Sequence, residues 1–307
     1  MKKFIIPILL FVLTRTAYSK SDVIVAIIDT GADVNHPYLT KGLWTNPGES
    51  GFDQNGHNKS NNGIDDDGNG FIDDVHGWNF LAHSANLKDT HGHGTHIAGI
   101  IRSTAPDAHL MILKYYQPHA QGPALLHATA SAIRYAVTMG AQIINYSGGG
   151  QGRNPEEEAA IRWAEQHGVL VVAAAGNEQS NSDVFPFFPA DYGTSNLLSV
   201  TAVNSHNELL PTSNYGTNSV DIAAPGLNIF STLPGGAYGR MTGTSQATAF
   251  VSGIAARILR EHPSLRSAEK LIKAVIRTAT PEPRLAGKIR YAVCLTPNTV
   301  QQNLSLR

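Results

Sequence analysis

The chain has 307 residues and a formal net charge of −1, with 15% charged and 42% hydrophobic side chains. That length supports one large α/β unit with a sizeable buried core. The near-neutral balance, without a long basic run, excludes a nucleic-acid groove and a polybasic membrane patch.

The first 19 residues read as a signal peptide. Lys2 and Lys3 form the basic start, Phe4 to Leu13 the apolar stretch, and Ala17-Tyr18-Ser19 a small-x-small cleavage site. The apolar run is too short for a stable membrane anchor and is interrupted by Pro7. The expectation is an exported chain, periplasmic or extracellular, free of the membrane once residues 1–19 are removed, with 20–307 forming one unit. Cys294 is the only cysteine, so an intrachain disulfide is impossible.

Apolar runs at Val23–Ile28, Leu110–Tyr115, Ile143–Tyr146, Val169–Ala174 and Leu197–Val203 predict strands. Several lack polar alternation, as strands covered on both faces do. Helical spacing marks Ala124–Met139, Glu156–Gln166, Ala247–Glu261 and Ser267–Thr278. The second of these has Asn154 as N-cap, Pro155 at the first helical position and three glutamates in its first turn. Strands alternating with helices imply an α/β fold, a doubly wound parallel sheet with helices on both faces. The polar, Gly- and Asn-rich stretch from Gly42 to Asp89 is a long excursion of the kind usually held by function or by something other than a core.

Four segments carry the chemistry. Val25-Ala26-Ile27-Ile28-Asp29 is a strand ending in a carboxylate, at the edge where doubly wound sheets collect reacting groups. Taken alone, Asp29 reads as a turn residue or helix cap. His91-Gly92-His93-Gly94-Thr95-His96 places His93 at a helix start, which favours the neutral imidazole that a general base requires. Three histidines this close could also be zinc ligands, but no His-Glu-x-x-His arrangement accompanies them. Gly243-Thr244-Ser245 opens an apolar helix, so Ser245 is either an exposed nucleophile or an ordinary N-cap. Ala247 excludes the nucleophile elbow of α/β-hydrolases, whose chain order also differs. Asn177 ends the run from Val171 to Gly176, where its amide can donate to a developing oxyanion or simply form a turn.

In the order Asp, His, Ser, these pieces resemble the subtilisin-like (subtilase) serine proteases from about residue 22 to residue 280. Asp29-Thr30-Gly31, His93-Gly94-Thr95-His96, Ala175-Gly176-Asn177, Ala224-Pro225-Gly226 and Gly243-Thr244-Ser245 carry the resemblance. It implies a serine endopeptidase acting on polypeptides through an acyl-enzyme. Ser245 would be the nucleophile, His93 the base, Asp29 its orienting carboxylate and Asn177 an oxyanion donor. It also implies that Ser147, Gly148 and Gly149 pair with an extended substrate, that Phe187 lies at the base of the S1 pocket, and that His96 is structural.

The departures from the family matter as well. Gly148 replaces a bulky apolar residue, and Phe187 stands where a small residue is frequent. A shallow S1 favouring small or medium P1 side chains follows, unless Phe187 turns into the core. Gln246 replaces the methionine common after the nucleophile, and Ala249-Phe250 replaces a Pro-His pair. The family's propeptide is not evident, which points to unaided folding or to a folding helper or inhibitor acting in trans. A catalytically silent binding module of the same fold is the alternative, and an esterase is disfavoured by chain order.

Asp65, Asp67 and Asn69 alternate ahead of Phe71 and Asp73, the oxygen-ligand order of a calcium loop with Phe71 offering its carbonyl. The twelfth position is His76, which excludes a full EF-hand. Structural Ca²⁺ is expected here, with no cofactor for catalysis; the competing reading is a solvated acidic turn.

Overall fold

In a computed structural model, residues 22–118, 120 and 122–297 are described, together with Ser19. The expected signal segment lies outside the described residues except for Ser19. Strands and helices alternate from the start. β1 (Ile24–Asp29) and the short β2 (Gly77–Asn79) precede α1 (His93–Thr104), β3 (His109–Lys114) and α2 (Gly122–Thr138). β4 (Ile143–Tyr146), α3 (Pro155–Gln166), β5 (Leu170–Ala174), β6 (Leu197–Val203) and β7 (Ile222–Pro225) follow. The hairpin β8 (Ile229–Leu233) and β9 (Ala237–Met241) leads into α4 (Thr244–Glu261) and α5 (Ala268–Thr278). β10 (Thr280–Pro281) and β11 (Val293–Cys294) close the order.

Nine strands form one sheet in the order β10-β11-β7-β6-β5-β4-β1-β3-β2, parallel except for the β10–β11 pair. The order runs outward in both directions from β1 and β4, as expected of a doubly wound sheet. Successive residues serve opposite faces. Val25 and Ile27 join the apolar cluster built on α1, α4 and α5, while Ile24, Ala26 and Ile28 join the one built on α2 and α3. Both faces are dry, so these strands have no place for the polar alternation of a half-exposed sheet. At about 1.5–3 kcal/mol for each fully buried Ile, Val or Leu side chain, the central strands anchor the fold.

Several boundaries differ from the expectation. Asn154 caps α3 as predicted, its side chain accepting from the Glu157 amide at 2.9 Å. The helix predicted from Ala247 begins three residues earlier, at Thr244, which brings Ser245 inside its first turn. β2, β7, β10 and β11 are too short to show a period, and the β8–β9 hairpin is half exposed. Among the described residues, no helix is long and apolar enough to cross a membrane.

Candidate active site

Asp29 ends β1 and is 3% exposed, with His93 opening α1 beside it. His93 Nδ1 lies 2.7 Å from Asp29 Oδ1, an oxygen that also accepts from the Thr30 amide at 2.7 Å. The close approach depends on Gly94. A Cβ there would run into the Gly31 carbonyl and meet Asp29 Cβ and Oδ1 at 3.1 Å, pushing α1 off the strand end. Burial alone would make His93 less basic, but the Asp29 charge and hydrogen bond outweigh it and hold the imidazole above its ordinary value. The helix-start expectation of a more neutral histidine is therefore reversed, because a carboxylate in contact dominates a terminal dipole.

Asp89 holds this corner together, and sequence reading missed it. Its Oδ1 accepts from the Thr30 hydroxyl and the His91 and Gly92 amides, and its Oδ2 from the Thr95 amide and hydroxyl, all between 2.6 and 2.9 Å. One carboxylate thus joins the end of β1 to the first turn of α1. The zinc alternative fails on commitments already made. His93 Nδ1 is taken by Asp29, and the fully buried His96 places Nε2 3.0 Å from the Ile229 carbonyl, with burial lowering its basicity.

Ser245 stands at the second residue of α4, which packs along α1. Its hydroxyl donates to the Ser147 carbonyl at 3.0 Å, and the Ser147 hydroxyl donates to the Ser245 carbonyl at 3.1 Å. Asn145 extends the link, donating to the Ser147 hydroxyl and accepting from Ser252. The end of β4 is thereby pinned to the helix bearing Ser245. Asn177 follows β5, and its Oδ1 accepts from the Thr244 amide at 3.0 Å and the Thr244 hydroxyl at 3.2 Å. With the oxygen so engaged, Nδ2 is the group left to donate. Asn214, another residue no motif pointed to, fixes that loop through the Glu178 and Ser180 amides and the Ala175 carbonyl.

Ser147, Gly148 and Gly149 continue β4 toward the antiparallel bridge between Gly150 and Phe188. The bulk missing at Gly148 comes from Tyr115, whose hydroxyl occupies the space a Gly148 Cβ would need and whose ring packs edge-on against Tyr146 at 5.6 Å. Phe187 is buried, yet among the described residues it joins none of the apolar core clusters. Its ring fills the space between two glycines, with Cζ 3.1 Å from a Cβ built on Gly149 and Cδ2 3.0 Å from one built on Gly176. The Phe187 amide donates to Asp191 Oδ2 at 2.6 Å, and burial pushes the Asp191 carboxyl up to about 6.

The acidic loop closes differently from its sequence order. Asp65 and Asp67 come together, but their third partner is Glu49, and one oxygen from each lies within 4.8 Å of the other two. Glu49 is fully buried, and its Oε2 has no hydrogen-bond partner among the described residues. Burial and the neighbouring Asp74 and Asp67 charges raise its carboxyl above the usual range, against two backbone hydrogen bonds that lower it. The other expected ligands lie along the same loop. Asn69 Oδ1 accepts from the Phe71 amide, Phe71 packs its ring on Trp78 and Tyr135, and Asp73 accepts from the Gly63 amide. A buried carboxylate with an unpartnered oxygen, grouped with two others, fits a hard cation with oxygen ligands.

The profile of the "Subtilase family" matches residues 20–303. Thermitase of Thermoactinomyces vulgaris is 32% identical over 265 residues, covering 83% of this chain and 80% of its own length. A thermophilic serine proteinase of Bacillus sp. (strain AK1) is 34% identical over 242 residues, covering 76% of this chain; the match spans about half, 51%, of that relative's length. Among solved structures, the self-cleaved protease domain of PatA superposes with a TM-score of 0.67 at 27% identity, covering 94% of this chain and 98% of that one. A lanthipeptide protease, 23% identical, superposes with a TM-score of 0.72 over 92% of this chain and 88% of its own, a likeness of fold.

Proposed function

The chain belongs to the subtilase family of serine peptidases, and from that premise we propose an exported endopeptidase that cleaves polypeptides with Asp29, His93 and Ser245. The observation that carries this reading is the 2.7 Å contact between His93 Nδ1 and Asp29 Oδ1, with Nε2 left free for the nucleophile. Ser245 turns its hydroxyl from the Ser147 carbonyl to His93, attacks the peptide carbonyl, and gives its proton to Nε2. Asp29 stabilises the imidazolium that forms. Asn177 Nδ2 and the Ser245 amide, the latter at the helix start, receive the negative oxygen. Protonation of the leaving amine by His93 gives the acyl-enzyme, which water then hydrolyses.

The substrate lies extended along Ser147–Gly149, pairing backbone to backbone. Phe187, wedged between Gly149 and Gly176, makes S1 shallow and selects small P1 side chains. Glu49, Asp65 and Asp67 hold a structural Ca²⁺ that neutralises their mutual repulsion and takes no part in the reaction. The basic, apolar and small-x-small order of residues 1–19 supports export to a periplasm or beyond.

The test uses the mature chain, from about Lys20, with a fluorophosphonate probe, casein and peptides bearing P1 Ala, Leu or Phe, beside a Ser245→Ala control. Labelling and cleavage that vanish in the control, with P1 Ala preferred to Phe, are expected. A folded chain that neither labels nor cleaves would return the silent binding module to the front, and a preference for P1 Phe would remove the Phe187 reading alone.

A further inference from the structure

One polar side chain beside the nucleophile has no task in the reaction so far. Gln246 follows Ser245 in the first turn of α4 and is 2% exposed. Its carboxamide makes no hydrogen bond among the described residues, and its polar atoms are not among those sealed from solvent without a partner, so the amide is free to take one up. Its place is marked by Gly243. A Cβ built there would lie 3.3 Å from Gln246 Oε1, 3.3 Å from Asn177 Oδ1 and 3.6 Å from Asn177 Nδ2. Two carboxamides therefore lie close to one point at the start of α4.

They differ in how they are held. Asn177 is oriented, because Thr244 occupies its oxygen. Gln246 is held by no such bond, and a half-turn about its terminal bond exchanges Oε1 and Nε2. An amide free to turn its N–H toward the space it shares with Asn177 can donate to a carbonyl oxygen as that oxygen becomes negative.

We propose that Gln246 is a second side-chain donor of the oxyanion site, donating from Nε2 to the substrate carbonyl oxygen as it gains charge. The proposal rests on the peptidase reading above. As the Ser245 Oγ–C bond forms, the carbonyl π pair moves onto oxygen and the serine proton passes to His93. Asn177 Nδ2, the Ser245 amide and Gln246 Nε2 then share the oxyanion. The contact strengthens only as charge develops, so its loss lowers kcat and spares KM. Methionine, the residue common at this position in relatives, fills a similar volume without a donor.

The experiment measures kcat and KM on one peptide substrate for the wild type, Gln246→Met, Asn177→Ala and the double variant, with thermal melting to establish folding. Gln246→Met should lower kcat about tenfold with KM within about twofold, the size expected of one modest transition-state hydrogen bond. It should lower kcat again in the Asn177→Ala background. Gln246→Glu, nearly the same shape but bearing a carboxylate, should lower kcat further than methionine at neutral pH. Equal kcat for the wild type and Gln246→Met overturns the proposal. So does a loss that disappears in the Asn177→Ala background, since Gln246 would then act only through Asn177. A wild type that neither labels nor cleaves overturns the peptidase reading as well, whereas an active wild type matched by Gln246→Met overturns this proposal alone.

Discussion

Asp89 and Glu49 are both buried carboxylates in the excursion between β1 and α1, and their surroundings are opposite. Asp89 receives five hydrogen bonds that use both of its oxygens. Glu49 receives two, from the Asp66 and Asp67 amides on Oε1, while its Oε2 has no partner among the described residues and a carboxylate oxygen of Glu49 lies within 4.8 Å of ones on Asp65 and Asp67. The first is neutralised by its own chain and holds the catalytic corner without outside help. The second leaves one oxygen without a partner among the described residues, the place the proposed Ca²⁺ would complete. Protein N–H groups can therefore stabilise a buried anion where several converge, whereas a carboxylate cluster with fewer of them gains from a cation.

This contrast can be broken at both ends. The largest effect belongs to Asp29→Asn, which keeps the shape of the corner but removes the charge that orients His93. kcat should fall by about 10⁴, the magnitude known for the equivalent change in another triad protease, while calcium still raises the melting temperature as in the wild type. Asp89→Ala leaves five donors without their acceptor and should cost about 3 kcal/mol in urea unfolding, together with a loss of kcat as α1 shifts. If it is no less stable than the wild type, the corner has another clamp.

At the acidic loop, removing calcium with EGTA should lower the melting temperature by about 5–10 °C, as expected for a ligand present at about a hundred times its dissociation constant. Glu49→Gln should melt at nearly the same temperature with or without calcium. An undiminished calcium response in that variant would move the site elsewhere.

The smallest effect is a shift along the pH axis. His93 must be neutral to act as base, and its basicity is raised, because the Asp29 charge and hydrogen bond exceed the opposing effect of burial. The acid limb of kcat/KM should therefore fall above the ordinary imidazole value of about 6.5. In Asp29→Asn, where the charge and hydrogen bond of Asp29 are gone and only the Asp89 charge still opposes burial, the residual activity should persist to lower pH than in the wild type. A wild-type limb below 6.5 would contradict the balance of charge over burial.

Much of this was legible in the chain because the information was local. Strands buried on both faces show themselves as unbroken apolar runs, and Asp29, His93, Asn177 and Ser245 each sit at the end or beginning of such an element. Asn154 with Pro155 is a cap that needs no tertiary contact to be recognised. What stayed hidden depends on distant partners. Glu49 joins Asp65 and Asp67 across sixteen or more positions of irregular loop, a partnership that spacing within the acidic motif alone does not reveal. Tyr115 fills the space over Gly148 from a neighbouring part of the sheet, and the clamp role of Asp89 exists only once α1 has docked on β1. Strands of two or three residues, such as β2, β10 and β11, have no period to read.

The reciprocal bonds between Ser147 and Ser245 have one more consequence. With its hydrogen pointed at a neighbouring carbonyl, the proposed nucleophile Ser245 is in storage, and a rotation about a single bond separates storage from use. Releasing it costs about one hydrogen bond, roughly 0.5–1.5 kcal/mol, small against a reaction barrier but enough to bias the idle hydroxyl. The carbonyl that holds it belongs to the segment along which a substrate would lie. Readiness to attack is thus a property shared with the wall of the cleft, and an occupant that disturbs Ser147 also arms Ser245.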